Sequence, residues 1–159
     1  MLVLIKIKWK PLIISIAIPL LLIGGASALL TMNSMEKYKE INRPALSPPG
    51  WIFPVVWTIL FILMGIASYI ICESDSPNKA KALTIYVVQL LLNLSWSLVF
   101  FNLDQYWISV AIIIALDILI ALNIAFFGSI SKVAAFLLLP YMIWALFATY
   151  LNISIAMLN

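Results

Sequence analysis

The sequence predicts an all-α fold, an integral membrane bundle of five transmembrane helices, and three observations carry that expectation. Four uncharged blocks, Pro11–Met32, Trp51–Cys72, Ala82–Leu103 and Val133 to the last residue, are joined by a fifth, Trp107–Phe127, broken only by Asp117. Each is long enough to cross a hydrocarbon layer of about 30 Å at about 1.5 Å per residue. The chain is 65% hydrophobic and 9% charged, more apolar than a water-soluble core of this size could hide. The connections are short, so a single domain spanning 1–159 is expected.

The first helix covers about 11–32. Pro19 lies inside it and predicts a kink, because proline removes one backbone donor. Gly24, Gly25 and Ala28 permit close helix contact near its end. Lys6, Lys8 and Lys10 followed by an apolar run ending in Ala26-Ser27-Ala28 imitate a signal peptide, but the run is too long and continues through Leu29, Leu30 and Met32. A retained helix is expected.

The longest connection, 33–50, ends in Arg43-Pro44-Ala45-Leu46-Ser47-Pro48-Pro49-Gly50. Its prolines stiffen the backbone, which suits either a rigid lid or a spacer that starts the next helix. The second helix covers 51–72, with Pro54 tolerated in its first turn. The third covers 82–103, the fourth 107–127, and the fifth 133–157 with Pro140 in its first half. Counting Lys and Arg by side gives six with the N-terminus and three with the 33–50 connection. That asymmetry predicts a cytoplasmic N-terminus and an external proline-rich connection. Helical spans suit a bacterial cytoplasmic membrane better than an outer one, whose residents are usually barrels.

Histidine is absent and Cys72 is the only cysteine. The usual general base, the usual haem ligand and thiolate clusters are therefore missing, and no metal site or required cofactor is expected. No basic stripe interleaved with aromatics exists, so no nucleic-acid partner is expected either. Function must reside in the few groups that hydrocarbon would reject.

On the third helix Gln89, Asn93, Trp96, Ser97 and Phe100 share one face. The amides serve as glue between helices, or Asn93 faces a ligand; spacing leaves both open. Trp57, Phe61, Gly65 and Ser68 make a comparable stripe on the second helix. Pro140, Trp144, Phe147, Ala148 and Leu151 do so on the fifth. Trp51 and Trp107 start their helices and fit the headgroup border. Trp57, Trp96 and Trp144 lie deeper, where three indoles either clamp a flat ligand or simply pack. Asp117, alone in the middle of a span, reads as a clasp between helices, a dimer contact or a relay, and no second ionisable group supports a relay.

Three segments then resemble the TspO/MBR family, the tryptophan-rich sensory proteins of bacteria and the mitochondrial translocator protein. They are Arg43–Tyr69 (RPALSPPGWIFPVVWTILFILMGIASY), Gln89–Phe101 (QLLLNLSWSLVFF) and Leu139–Ile153 (LPYMIWALFATYLNI). The motifs PPxW…VWT…MG, QLxLNxxWSxxFF and PYxxWxxFAxxLN are jointly specific. The resemblance implies a five-helix bundle with a pocket near the end capped by the first connection, and a homodimer. It implies a receptor or sensor in the bilayer that binds porphyrins such as protoporphyrin IX, for sensing, sequestration or transport. By motif position the ligand-binding residues would be Trp57, Phe61, Asn93, Trp96, Phe100, Trp144, Phe147 and Ala148, with Pro48, Pro49 and Trp51 in or below the lid. The alternative it implies is a light- or oxygen-dependent porphyrin-degrading enzyme, with Trp57 and Trp144 as its catalytic candidates. No basic residue follows Tyr150, so the mammalian cholesterol pattern is absent.

Overall fold

The computed structural model describes residues 7–159 and is almost wholly helical. Lys6, counted above among the N-terminal charges, lies outside the described residues. The first span, Trp9–Thr31, has three parts: α1 (Trp9–Ala17), a π-helical stretch Ile18–Gly25, and α2 (Ala26–Thr31). A short α3 (Met35–Glu40) follows, then four long helices: α4 (Ile52–Cys72), α5 (Lys79–Phe101), α6 (Tyr106–Ile130) and α7 (Lys132–Leu158). Five helices are thus long and apolar enough to span a bilayer.

Two differences from the sequence reading have physical causes. Pro19 sits at the start of the π-helical stretch, where the ladder widens, a rearrangement that the expectation of a kink did not specify. Because proline offers no N–H, the usual bond to the carbonyl one turn back is lost there, and a π turn is one way a helix rearranges around such a gap. The charge-free blocks also misjudge helix ends. Lys79 and Lys81 belong to α5, where Lys79 Nζ donates to the carbonyls of Cys72 (3.0 Å) and Ser74 (2.8 Å) at the end of α4. A cation there satisfies orphan carbonyls and complements the helix dipole.

The helices form a closed ring in the order first span, α4, α7, α6, α5. The α5–α6–α7 side is held by polar links in its interior. Tyr141 Oη donates to Gln89 Oε1 (2.7 Å) and accepts from Asn93 Nδ2 (3.0 Å), tying α7 to α5. Ser109 pairs with Asn152 at 2.6 Å, and Thr149 Oγ1 lies 2.7 Å from Asp117 Oδ2, tying α6 to α7. Asp117 is therefore a helix clasp within one chain. On the opposite side, the first span meets α4 through bare backbone: a Cβ built on Gly65 would lie 2.5 Å from Ile16 Cα.

The connection 33–50 is more structured than its prolines alone predict. Tyr38 of α3 is 3% exposed and packs edge-on to Phe53 at 5.4 Å and near Phe101 at 6.4 Å. The Arg43 guanidinium lies 4.8 Å from the Tyr38 ring centre, a cation–π contact. Ser34 Oγ donates to Asn102 Oδ1 (2.8 Å), and Lys37 pairs with Asp104 (3.1 Å). At its other end the Asn42 N–H donates to Asn159 Oδ1 (3.0 Å), and Asn159 Nδ2 donates to the Asn42 carbonyl (2.9 Å). The connection is thus a strap tied to the α5–α6 turn and to the end of α7.

Candidate ligand cavity

A cavity of about 440 Å³ opens between the first span, α4 and α5, in the half of the bundle nearest the strap. One wall is aromatic. Trp57 stacks on Phe61 (5.5 Å between centroids) and lies 6.2 Å from Trp96, with Phe53 and Phe101 beside them. Phe53, Trp57 and Phe61 recur every four residues on α4, so one helical face supplies three rings. The facing wall is small and polar: Gly24, Gly25, Ser27 and Thr31 from the first span, Asn93 and Ser97 from α5. Ser27 and Ser97 share a hydrogen bond of 2.5 Å across the two helices.

Gly25 decides how much room there is. A Cβ placed on it would meet nothing within 4 Å, whereas one on Gly24 would come within 2.9 Å of the Phe61 ring. Asn93 serves two roles at once. Its amide donates to Tyr141, and the residue also lines the cavity; among the described residues no donor reaches its carbonyl oxygen. No charged residue lines the cavity, so it favours uncharged or weakly polar surfaces over an ion that would lose its water.

Of the residues singled out from sequence, Trp57, Phe61, Asn93 and Trp96 come together on this cavity. Phe100 and Ala148 lie beyond it, in a narrow space under Tyr38 that Phe53, Trp96 and Phe101 also border. Trp144 is half-buried and stands 6.0 Å from Phe53, with Phe147 5.5 Å from Trp144; neither lines the cavity. Trp51 is 67% exposed at the start of α4, and Pro48 and Pro49 border no cavity described here. The aromatic plug of the strap is Tyr38.

Sequence reasoning left out Phe53, Ser27, Thr31 and Tyr38. Phe53 was readable, one turn before Trp57 on the same stripe. Ser27 carries no such signal, because the first span is apolar all round and its inward side is not marked.

A profile of the TspO/MBR family matches residues 15–158, covering the ring of helices from within the first span onward, and the strap. The chain belongs to the TspO/MBR family. It is 40% identical over 140 residues to the "Tryptophan-rich protein TspO" of Archaeoglobus fulgidus, covering 87% of this chain and 91% of that one. The protein of the same name from Chlorobaculum tepidum is 37% identical, covering 87% and 90%. The human "Translocator protein" is 32% identical over 124 residues, covering 76% and 73%. The three motif segments of this TspO/MBR chain fall within the matched range. The first two of them also supply the aromatic wall and the Asn93–Ser97 part of the polar one.

Proposed function

We propose that this TspO/MBR membrane protein binds a porphyrin, with protoporphyrin IX as the type ligand, or a similar flat apolar molecule, for sensing, sequestration or transport. The observation that carries the reading is the cavity, aromatic on one side and amide-and-hydroxyl on the other. Its volume of about 440 Å³ falls within the usual range for small-molecule sites, roughly 300–1,000 Å³. Trp57, Phe61 and Trp96 offer flat faces to a macrocycle. Asn93 and Ser97 offer hydrogen bonds to its polar edge. Without histidine, the metal-free pigment suits the chain better than a haem needing an axial imidazole.

The balance of lysine and arginine supports a cytoplasmic N-terminus and a strap on the far side, and the helical spans support residence in a bacterial cytoplasmic membrane. We read the working unit as a homodimer by family resemblance. Of the two tryptophans considered for light-dependent breakdown, Trp57 lines the cavity and Trp144 does not, which favours binding over turnover.

Tryptophan-fluorescence titration with protoporphyrin IX tests the reading in purified, lipid-reconstituted protein. Saturable binding that weakens by about tenfold or more in Trp57→Ala and Asn93→Ala supports it, a size expected for residues central to a site. Binding that survives the double substitution overturns the assignment.

A further inference from the structure

The cavity has a rim, and the rim faces lipid. Five of its lining residues are exposed: Leu21, Ala28 and Met32 on the first span, Pro54 and Thr58 on α4. None of the exposed lining comes from α5, whose Asn93, Trp96 and Ser97 form a buried back wall. Ala28 and Met32 lie one turn apart, as do Pro54 and Thr58, so each pair presents one side of its helix. Leu21 lies ten residues before Thr31, the end of the span, about 15 Å along the axis. The opening therefore runs from the strap end to roughly mid-depth of a 30 Å hydrocarbon layer.

The two sides of the opening are held differently. Above it, the strap is fixed by the Ser34–Asn102, Lys37–Asp104 and Asn42–Asn159 contacts. The first span is tied to α5 by Ser27–Ser97 and by Asn102 Nδ2 donating to the Leu30 carbonyl (2.7 Å). Among the described residues no side-chain hydrogen bond joins α2 or the π-helical stretch to α4. That seam is closed only by apolar contact, and lipid chains can replace apolar contact at little cost.

We propose that the ligand enters and leaves sideways, from the bilayer hydrocarbon through the seam between the first span and α4, and not from water beneath the strap. The inference rests on the binding reading above only for the ligand's identity; the route is a property of the cavity. It restricts the ligand class to molecules that partition into the bilayer and lead with an uncharged edge, since no charged group lines the path.

Cysteine accessibility tests the route without any porphyrin. In reconstituted Cys72→Ser protein, Gly25→Cys places a thiol in the cavity with no steric cost, as its open Cβ position allows. N-pyrenylmaleimide dissolved in the bilayer is expected to label it, and the water-confined sulfonate reagent MTSES to leave it unlabelled. Thiols on the exposed strap, such as Ala45→Cys, report that MTSES is active. Adding Thr58→Trp or Ala28→Trp, one from each lip, is expected to slow bilayer labelling by about tenfold, as a narrowed passage changes rates more than equilibria. Loosening the strap with Asn159→Ala is expected to change nothing.

Labelling by MTSES as fast as by the maleimide overturns the lateral route. So does acceleration by Asn159→Ala, or indifference to both lip variants. Protoporphyrin IX is then added. Failure to protect Gly25→Cys sinks the porphyrin reading while leaving the route intact.

Discussion

The two sides of the ring solve the membrane-packing problem in opposite ways. Along α5, α6 and α7, polar side chains pair across helices: Tyr141 with Gln89 and Asn93, Asp117 with Thr149, Ser109 with Asn152. The first span buries only Pro19, Ile23 and Thr31, and it closes on α4 through the small surface of Gly65. Hydrocarbon gives no hydrophobic driving force between helices, so close packing and hydrogen bonds must hold them. The bonded side is a scaffold. The other side is a removable wall, and the cavity lies behind it.

Filling Gly65 should break this contrast most severely. Gly65→Leu meets Ile16 Cα and the Ser15 carbonyl at 2.8 Å or closer, and backbone cannot rotate aside. Overpacking of this kind costs roughly 1–3 kcal/mol or more. Denaturant titration in lipid micelles should show that loss, with the first span released before the rest.

Tyr141→Phe should act next, on the bonded side. It deletes the hydroxyl joining Gln89 and Asn93 and leaves two amides short of a partner, at about 1–2 kcal/mol. Unchanged stability would mean that the amides repair the gap between themselves. Gly25→Leu sharpens the comparison from the cavity side. It should leave stability within about 0.5 kcal/mol, as for substitutions away from packed features, and weaken protoporphyrin IX binding by about tenfold through steric filling.

Asp117→Asn keeps a polar group opposite Thr149, so stability should fall by less than about 1 kcal/mol. A larger loss, or loss of function with the fold intact, would reopen the relay reading. The smallest effect is expected at the exposed end of α1. The Glu73 carboxylate, hydrogen-bonded to Lys8 at 2.6 Å, raises the Lys8 ammonium above its ordinary value. A raised amine contributes below its unfolded value and loses that contribution as pH rises through its folded one. Wild type should therefore be slightly more stable than Lys8→Ala across neutral pH, by the small amount a screened surface pair contributes, and the difference should vanish in strong alkali.

The five spans were legible because uncharged runs of this length have no other home. The stripes of α4 and α5 were legible because a period of three to four residues assigns side chains to one face. Which neighbour that face meets is not written in the period. Trp144 and Trp57 occupy comparable stripes, yet Trp144 looks onto Phe53 and Phe147 while Trp57 looks into the cavity. Pro19 signalled a local break but not a π-helical stretch, since one missing donor is compatible with several repairs. Tyr38 was hidden among charged residues in a connection dominated by prolines. Its burial depends on Phe53 and Phe101, whose convergence only the ring order creates.

The mutual amide pairing of Asn42 with Asn159 makes the carboxyl end of α7 a handle on the strap. A bulky reporter fused directly after Asn159 would tug on that knot and bias any ligand measurement, whereas the same reporter on the amino side would not. Comparing the two fusions offers a gauge of how much mechanical work that junction performs.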